Sequence, residues 1–320
     1  MDFPSDHGNS AIGIRQPAAK VVISRPVMNG LVDGRARGAL CRMRKGGEVL
    51  FLLMLLVLWC GDAAAQGALV VGVTPQQSAG RLAESWVPLL EEAGRRFGAP
   101  LTFRTAPATE EFERRVLAGE YDVIYGSPVL YVAAARVLGA RAIARQRQDE
   151  QGVLVVKGDS AIASVADLQG RVVAFPAASA YGASILTQAA LRRQGVDFQT
   201  KTLASDESVY RAVLDGMADA GGGALRTLGR QDMETRTFLR VLMVTEPYAA
   251  YPVFVLPRVG QKQAAHLQAV LFSLDSDATG QAALKRATLQ GIALADDHTY
   301  DPVRRLGLDA VERLLKGAAP

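Results

Sequence analysis

The feature that most constrains the fold is a regular alternation of strand and helix patterns. Residues 69–73 (LVVGV) form a short apolar run that is typical of a buried strand. Residues 80–97 then repeat apolar side chains at helical spacing, so that one face of a helix is apolar. The side chains on that face are Leu82, Trp86, Leu89, Leu90, Ala93 and Phe97.

The alternation continues through the next two pairs of elements. Residues 101–106 predict a second strand, followed by a helix for which Thr109 is the expected N-cap. Residues 121–127 (YDVIYGS) predict a third strand, and the helix after it has Pro128 in its first turn. This βαβαβα order predicts an α/β fold with a mostly parallel sheet covered by helices on both faces.

A second α/β series follows the polar stretch 145–152. Its first helical turn carries a capping box between Ser164 and Asp167, and a longer helix is predicted around residues 207–217 with a short strand near 219–220. The last 60 residues are predicted to be helical. The strand patterns of this second half are 152–157, 171–175, 239–245 and 251–257, of which the last is a returning strand.

Two α/β series and a helical tail that rejoins the first predict two lobes connected by crossing strands. We expect lobe 1 to comprise residues 66–150 plus 252–320, and lobe 2 to comprise residues 151–251. In open α/β sheets a ligand binds at the carboxyl ends of strands, where loops lead into helices. The cleft between the lobes is therefore the expected site for a small molecule.

The first 65 residues have the layout of an N-terminal extension followed by a signal peptide. The apolar run 49–59 follows a basic stretch and precedes three alanines, and its 11 residues are fewer than the ~20 needed to span a bilayer. We expect translation to start at Met43 and cleavage to follow Ala65, which gives a periplasmic chain. Lipidation at Cys60 is an alternative, which the bulky Trp59 before it disfavours.

Removal of this segment changes the chemistry available to the chain. Both cysteines lie before Gln66, so the exported chain has no thiol for a disulfide or a metal. Of 36 basic and 32 acidic residues, 8 and 5 lie in the removed segment, which leaves 28 and 27 and a net charge of +1. This balance gives no indication of nucleic-acid binding, and no cofactor or metal site is expected.

Three motifs in order resemble one known family. VGVTPQQ follows the cleavage site, DVIYGSP ends the third strand, and DLQGRVVAF leads into a helix start that contains serine and glycine. Together they resemble the periplasmic phosphate-, phosphite- and phosphonate-type solute-binding proteins of ABC transporters, over roughly residues 69–305. The resemblance implies a two-lobed, type II-like periplasmic binding protein fold, with two mixed sheets flanked by helices and a hinge between the lobes.

The resemblance also implies a ligand-binding turn at Ser179, Ala180, Tyr181 and Gly182. In the family a Ser-Thr-Ser-Gly turn at a helix N-terminus holds the phosphonate oxygens, because the first amides of a helix lack internal partners and favour an anion. Here one hydroxyl is replaced by alanine and one by a phenol. The backbone amides survive these changes, so an anion site is still expected. The alternative is that Ser179 only caps its helix.

Other cleft positions come from the ends of the first and third strands. Tyr125 matches a family tyrosine that faces the cleft, and Ser127 lies just before the next helix. Thr74 and Gln76 follow the first strand, which places them at the mouth of the expected cleft. Each of the four could instead be a surface or core-rim residue.

Departures from the family indicate an altered ligand preference. Glu207 is retained, but Asp206 replaces a family histidine, and an acid there repels a dianion. Arg226 and Tyr251 stand where members that take aminoalkylphosphonates place acids. A guanidinium disfavours a cationic amine and favours an anionic or neutral polar group. The alternative for Arg226 is a solvated helix residue.

Binding is the function that the sequence favours. The two histidines of the exported chain, His266 and His298, lie in the C-terminal region, and no nucleophile elbow, zinc-protease helix or phosphate-binding loop is found. We therefore expect a monomeric binding protein, not an enzyme, that delivers a small anionic ligand to a membrane permease by closing its cleft. Docking on a receptor as a ligand sensor remains an alternative, and an extracytoplasmic hydrolase is a more remote one.

Overall fold

The computed structural model describes residues 67–306 and 308–317. The expected start at Met43, the signal peptide, its cleavage after Ala65 and the alternative lipidation at Cys60 lie outside the described residues. In the described part of the chain, no helix is both long and apolar enough to cross a membrane.

The described elements alternate between strands and helices. The strands are β1 (Leu69–Val73), β2 (Leu101–Arg104), β3 (Val123–Tyr125), β4 (Arg141–Gln146), β5 (Gly152–Lys157), β6 (Val172–Phe175), β7 (Gln199–Thr202), β8 (Ala220–Ala224), β9 (Leu239–Val244), β10 (Pro252–Val255) and β11 (Ile292–Leu294). The helices are α1 (Ala79–Phe97), α2 (Thr109–Leu117), α3 (Pro128–Leu138), α4 (Thr187–Arg193), α5 (Asp206–Leu214), α6 (Leu225–Leu228), α7 (Met233–Phe238), α8 (Gln261–Ser273), α9 (Ala278–Arg286), α10 (Asp301–Leu306) and α11 (Leu308–Gly317).

The first sheet has six strands in the order β11-β4-β10-β3-β1-β2. β1 is parallel to both β2 and β3, whereas β10 is antiparallel to β3 and β4, and β11 is antiparallel to β4. The sheet is therefore mixed. Two of its strands depart from the sequence prediction. β4 is an additional strand that runs into the stretch expected to be polar loop, and β11 interrupts the tail expected to be helical, because each pairs with a neighbour distant in sequence.

The second sheet has five strands in the order β7-β6-β8-β5-β9 and is also mixed. β6 is parallel to β7 and β8, and β5 is antiparallel to β8 and β9. The three glycines 221–223 lie inside β8. A Cβ atom at Gly222 would lie 2.5 Å from the carbonyl oxygen of Ala183, so glycine allows the backbone of the neighbouring helix to approach.

Two chain segments, 147–151 and 245–251, connect the sheets. They pair through a single bridge, in which the Glu150 amide donates to the Tyr248 carbonyl at 2.8 Å and the Tyr248 amide donates to the Glu150 carbonyl at 2.9 Å. Thr245 adds a hydrogen bond from its amide to the Gly152 carbonyl at 2.9 Å. The crossing is therefore short and held mainly by backbone hydrogen bonds.

Two helix features predicted from the sequence are present in the structure, and one is not. The six side chains predicted for the apolar face of α1 are all buried, and the expected capping box is present, because the Asp167 carboxylate accepts from the Ser164 amide at 2.8 Å. The predicted cap at Thr109 is wrong. Thr109 is the first residue of α2, and Ala108 occupies the cap position without a side-chain hydrogen bond.

Candidate functional site

A cavity of about 540 Å³ lies where the loops at the strand ends of both sheets meet. On the side of the first sheet, it is lined by the loop after β1, part of α2, the residue before α3, and Tyr251, which precedes β10. From the second sheet it receives the turn after β6, the start of α5 and residues around α6. The volume suits a small molecule.

The structure brings together eleven of the twelve residues predicted from sequence. Those that line the cavity are Thr74, Gln76, Ser127, Ser179, Ala180, Tyr181, Gly182, Asp206, Glu207, Arg226 and Tyr251. The twelfth, Tyr125, is buried behind Tyr251, with their rings stacked at 5.6 Å between centroids. Its hydroxyl donates to the Gln146 side chain at 3.2 Å. Tyr125 therefore supports the cavity wall and does not face the cavity.

An aromatic series runs from the core of the first sheet to the second. Trp86 lies 4.6 Å from Tyr125, Tyr125 stacks on Tyr251, and Tyr251 meets the edge of Tyr181 at 6.4 Å. Burial raises the pKa of Tyr251 to about 12, so its hydroxyl is neutral and can donate a hydrogen bond. The cavity thus has an aromatic wall with a polar tip, which suits a small polar ligand.

The first-sheet side of the cavity presents mainly neutral hydrogen-bonding groups. Thr74 is buried, and its amide donates to the Tyr125 carbonyl at 3.0 Å, which ties the loop after β1 to β3. Ser127 is the N-cap of α3, where its hydroxyl accepts from the Leu130 amide at 3.2 Å. A capping role and a position on the cavity are therefore both present at Ser127.

The turn at 179–182 begins a helix whose first part is a π-helical turn, Tyr181–Leu186, continued by α4. Ala180 occupies the N-cap position, and no side chain caps the turn, so the capping role considered for Ser179 is wrong. Ser184 instead fixes the loop, because its hydroxyl donates to the Ala177 carbonyl at 2.9 Å. The first amides of this helix have no intrahelical acceptor and lie beside the cavity.

Arg226 is the principal cation on the second-sheet side, at the start of α6. Its side chain is 34% exposed and lines the cavity, which favours the cleft position over the solvated one. Its Nε lies 3.4 Å from Oε2 of Glu150, yet this nitrogen is buried and makes no hydrogen bond. A buried guanidinium N–H without a hydrogen-bond acceptor costs free energy that a ligand oxygen can recover.

Acidic residues surround this cation. Asp206 accepts from the Ala224 amide at 3.3 Å, and burial raises the pKa of its carboxyl. Glu207, next to it at the start of α5, is exposed. Across the residues that the structure describes, four acids and two arginines line the cavity, the acids being Glu113, Glu150, Asp206 and Glu207 and the arginines Arg226 and Arg230.

Sequence reasoning missed Glu113 and Glu150. Glu113 had a usable signal, because it lies three and four residues before the buried Val116 and Leu117 and so shares their helix face. Burial, and next the charge of Glu110, raises the pKa of Glu113 to about 7. Glu150 lies in a polar stretch expected to be a lobe boundary and is only 3% exposed. Its burial depends on the crossing of two distant segments, which no local pattern indicates.

Asp219, twelve residues after Glu207, anchors a strand of the second sheet. Its carboxylate accepts from the Val172 amide at 2.9 Å and lies 3.6 Å from Arg171. It therefore fixes the start of β6 against β8, away from the cavity.

A family model described as "ABC transporter, phosphonate, periplasmic substrate-binding protein" matches residues 71–300 of the chain. The match includes every strand except the first two residues of β1, and it includes every residue predicted for the site.

Solved structures with the same fold include proteins from three bacteria. A binding protein component of an ABC phosphonate transporter from Pseudomonas aeruginosa is 16% identical, with a TM-score of 0.62 over 79% of this chain and 89% of that chain. A Prochlorococcus marinus protein in complex with methylphosphonate is 15% identical, with a TM-score of 0.63 over 76% and 98%. A Xanthomonas citri protein bound to ATP is 19% identical, with a TM-score of 0.65 over 79% and 99%. At these identities the likeness shows a common fold.

Proposed function

Since the chain belongs to the family of periplasmic substrate-binding proteins of phosphonate ABC transporters, we propose that it captures a small oxyanion of the phosphonate or phosphate type in this cavity. We further propose that it acts as a monomer, exported by the predicted signal peptide, and that its closed form delivers the ligand to a membrane permease. The family is one of transport proteins and not of enzymes.

The observation that carries the ligand assignment is the state of Arg226. Its buried Nε lacks a hydrogen-bond acceptor although the side chain lines the cavity. A phosphonate oxygen is a strong acceptor for a guanidinium, and the first amides of the helix at 181 lie on the same cavity. The neutral hydroxyls of Thr74 and Ser127 supply hydrogen bonds from the opposite side.

Closure of the cleft is the proposed delivery step. Residues from both sheets line the cavity, so a ligand that contacts both sides gains contacts when they approach and shifts the population toward the closed form. The two crossing segments joined at Glu150 and Tyr248 are the proposed hinge, since they alone connect residues 67–146 and 252–317 with residues 152–244 in the described chain. The proposed lobe 1 then comprises the described parts of residues 66–150 and 252–320, and the proposed lobe 2 comprises residues 151–251.

The test is a ligand screen by calorimetry on the exported protein. The probes are methylphosphonate, phosphate, phosphite, methanesulfonate and acetate. Trp86 gives a second signal, because removal of the signal peptide removes Trp59 and leaves Trp86, which contacts the Tyr125–Tyr251 stack, as the sole tryptophan. We expect saturable binding of at least one phosphorus oxyanion with a change in Trp86 fluorescence. Failure of all five anions to bind would refute the proposed ligand class.

The matched variants are Arg226→Met and Arg236→Met. Arg236 is an exposed arginine of α7 that does not line the cavity, so its replacement removes the same charge elsewhere. Arg226→Met leaves Glu150 buried without its cation, which destabilises the fold. The double variant Arg226→Met/Glu150→Gln avoids this and separates loss of binding from loss of folding.

A further inference from the structure

Glu150 reaches the cavity from the hinge and not from either ligand-binding turn. Its backbone forms the bridge with Tyr248, and its side chain lines the cavity although the residue is only 3% exposed. A carboxylate buried to this extent needs a partner, because its desolvation is costly. The cation near it, Arg226, is 3.4 Å away without hydrogen-bond geometry.

The Glu150 carboxylate lies between the two groups to which a ligand anion is expected to bind. Its Oε2 is the oxygen near Arg226. Its Oε1 lies so close to the backbone at Gly182 that a Cβ atom there would be 2.6 Å from it. An oxyanion that binds both Arg226 and the turn at 179–182 would therefore lie beside the Glu150 carboxylate.

Two anions side by side at Arg226 repel each other strongly in a buried site. One proton between them removes the repulsion and makes a hydrogen bond, as in carboxylate pairs that share a proton. The proton can reside on Glu150, or it can arrive as an O–H group of the ligand. Burial, above the opposing effect of Arg226, already raises the pKa of the Glu150 carboxyl in the free protein.

The titratable side chains near Glu150 are poor candidates to hold the shared proton in its place. Asp206 adds to the rise in its pKa, and the tyrosines near it are neutral because burial raises their pKa values. The titratable or charged side chains that interact with Glu150 are Arg226, Asp206, Tyr125, Tyr181 and Tyr251, and Tyr248 contacts it through the backbone.

We propose that Glu150 is a specificity-determining residue that admits an oxyanion to Arg226 only together with one proton, shared between the Glu150 carboxylate and a ligand oxygen. The inference rests on the proposed function, since it assumes that the cavity binds an oxyanion. A phosphonate or phosphate can supply the proton itself as its monoanion. A sulfonate cannot, so it must bind to protonated Glu150.

The sign of the pH dependence follows from this linkage. Below the pKa of Glu150 in the free protein, the carboxyl already holds the proton and affinity for a sulfonate does not change with pH. Above that pKa, each binding event takes up a proton from solvent, and the affinity falls by about tenfold per pH unit. Glu150→Gln is isosteric, cannot ionise and removes this dependence.

The experiment compares wild type with Glu150→Gln for methylphosphonate and methanesulfonate between about pH 5 and pH 8.5. Wild type is expected to take methylphosphonate only together with one proton, whereas the variant also takes the dianion, so the ratio of their affinities reports the proton requirement set by Glu150. We expect a ratio near one at low pH, and an affinity of the variant at least about tenfold above wild type at the highest pH. Calorimetry of wild type in two buffers of different ionisation enthalpy should show uptake of a proton with methanesulfonate at high pH.

The control is Glu246→Gln, which makes the same substitution in the other crossing segment. Glu246 is exposed, pairs with Arg193 at 3.8 Å and does not line the cavity, so its variant should follow wild type at every pH. Equal affinities of wild type and Glu150→Gln across the pH range, with no proton uptake by wild type, would overturn the inference and leave the proposed function intact. Absence of anion binding by both proteins would instead overturn the proposed function, and the inference with it.

Discussion

The two sides of the cavity differ in the chemistry that they present. The first-sheet side offers Thr74, Gln76, Ser127 and Tyr251, which are neutral, a stack of aromatic rings behind them, and one buried acid, Glu113. The second-sheet side offers a helix start, two arginines and the acids at 206 and 207, with Glu150 entering from the hinge. From this difference we infer that the second-sheet side selects the charge of the proposed ligand. The first-sheet side selects its shape and contact area.

The physical basis of this division is the dielectric environment. A buried charge interacts strongly with its neighbours, so a change at Arg226 or Glu150 affects the ligand through several groups at once. A neutral hydroxyl or aromatic ring contributes one contact at a time, worth about 1 kcal/mol. Variants that change a charge on the second-sheet side should therefore affect binding more than variants of the neutral groups on the first-sheet side.

Loss of the cation should have the largest effect. In the background of Glu150→Gln, Arg226→Met should weaken the affinity for methylphosphonate by about 30- to 160-fold, because a charge-assisted hydrogen bond is worth about 2–3 kcal/mol. Calorimetry measures the affinity, and a thermal melt of the same sample shows that the variant is folded. A loss of less than threefold would mean that the second sheet does not set the ligand charge.

Gly182→Ala should disturb both the fold and the cavity. The added Cβ would lie 2.6 Å from Oε1 of Glu150, which must move, and overpacking of this kind costs about 1–3 kcal/mol. Denaturant unfolding should show this loss, and Glu150→Ala in the same chain should restore part of it by removing the clashing atom. If the double variant is no more stable than Gly182→Ala alone, then contact with Glu150 is not the reason for glycine at this position.

The buried acid on the first-sheet side should make stability depend on pH. The pKa of Glu113 is raised to about 7 in the fold, above its ordinary value, so the folded chain retains a proton that the unfolded chain releases. The stabilisation that the protonated Glu113 carboxyl contributes is fully present below about pH 4.5 and is lost as the pH rises through about 7. Glu113→Gln should therefore be more stable than wild type by about 1–3 kcal/mol at pH 8 and nearly equal to it at pH 4. Urea unfolding at both pH values measures the difference, and a constant gap would contradict the assignment.

Tyr251→Leu should have a smaller effect on binding than loss of Arg226. It removes one aromatic wall and one hydroxyl from the first-sheet side, which together are worth about 1–2 kcal/mol, or about a tenfold weaker affinity for methylphosphonate. The variant should also reduce the response of Trp86 fluorescence to ligand, because Tyr125 would lose the ring stacked on it. An effect as large as that of Arg226→Met would remove the proposed difference between the two sides.

The smallest change concerns the hydroxyl of Tyr181. This atom is buried and makes no hydrogen bond, so Tyr181→Phe should raise the stability of the ligand-free protein by about 1 kcal/mol. Thermal melts without and with methylphosphonate separate two outcomes. A gain in stability under both conditions means that the Tyr181 hydroxyl makes no contact with the ligand. A gain only without ligand means that the hydroxyl donates a hydrogen bond to the ligand, so that the helix start takes part in recognition of its charge.

Much of the site follows from sequence because it depends on local pattern and on the ends of strands. The periodicity of 80–97 predicted the buried face of α1, and the order of strands and helices placed the loops after β1, β3 and β6 at one edge of their sheets. Eleven predicted residues consequently meet at one cavity. Tyr125 is the exception, because position at a strand end does not show which side of the sheet is covered by a neighbour such as Tyr251.

The alternation of elements, the resemblance to a transport family and the composition of each loop can all be read from the amino-acid sequence. The environment of the charges cannot, because it depends on tertiary contacts. Glu150 lies 76 positions before Arg226 in the chain, and their contact exists because two crossing segments and β8 bring them together. Burial and pairing of a charge depend on contacts between distant segments, so neither the buried pair nor its bearing on ligand charge can be found in any local pattern of residues.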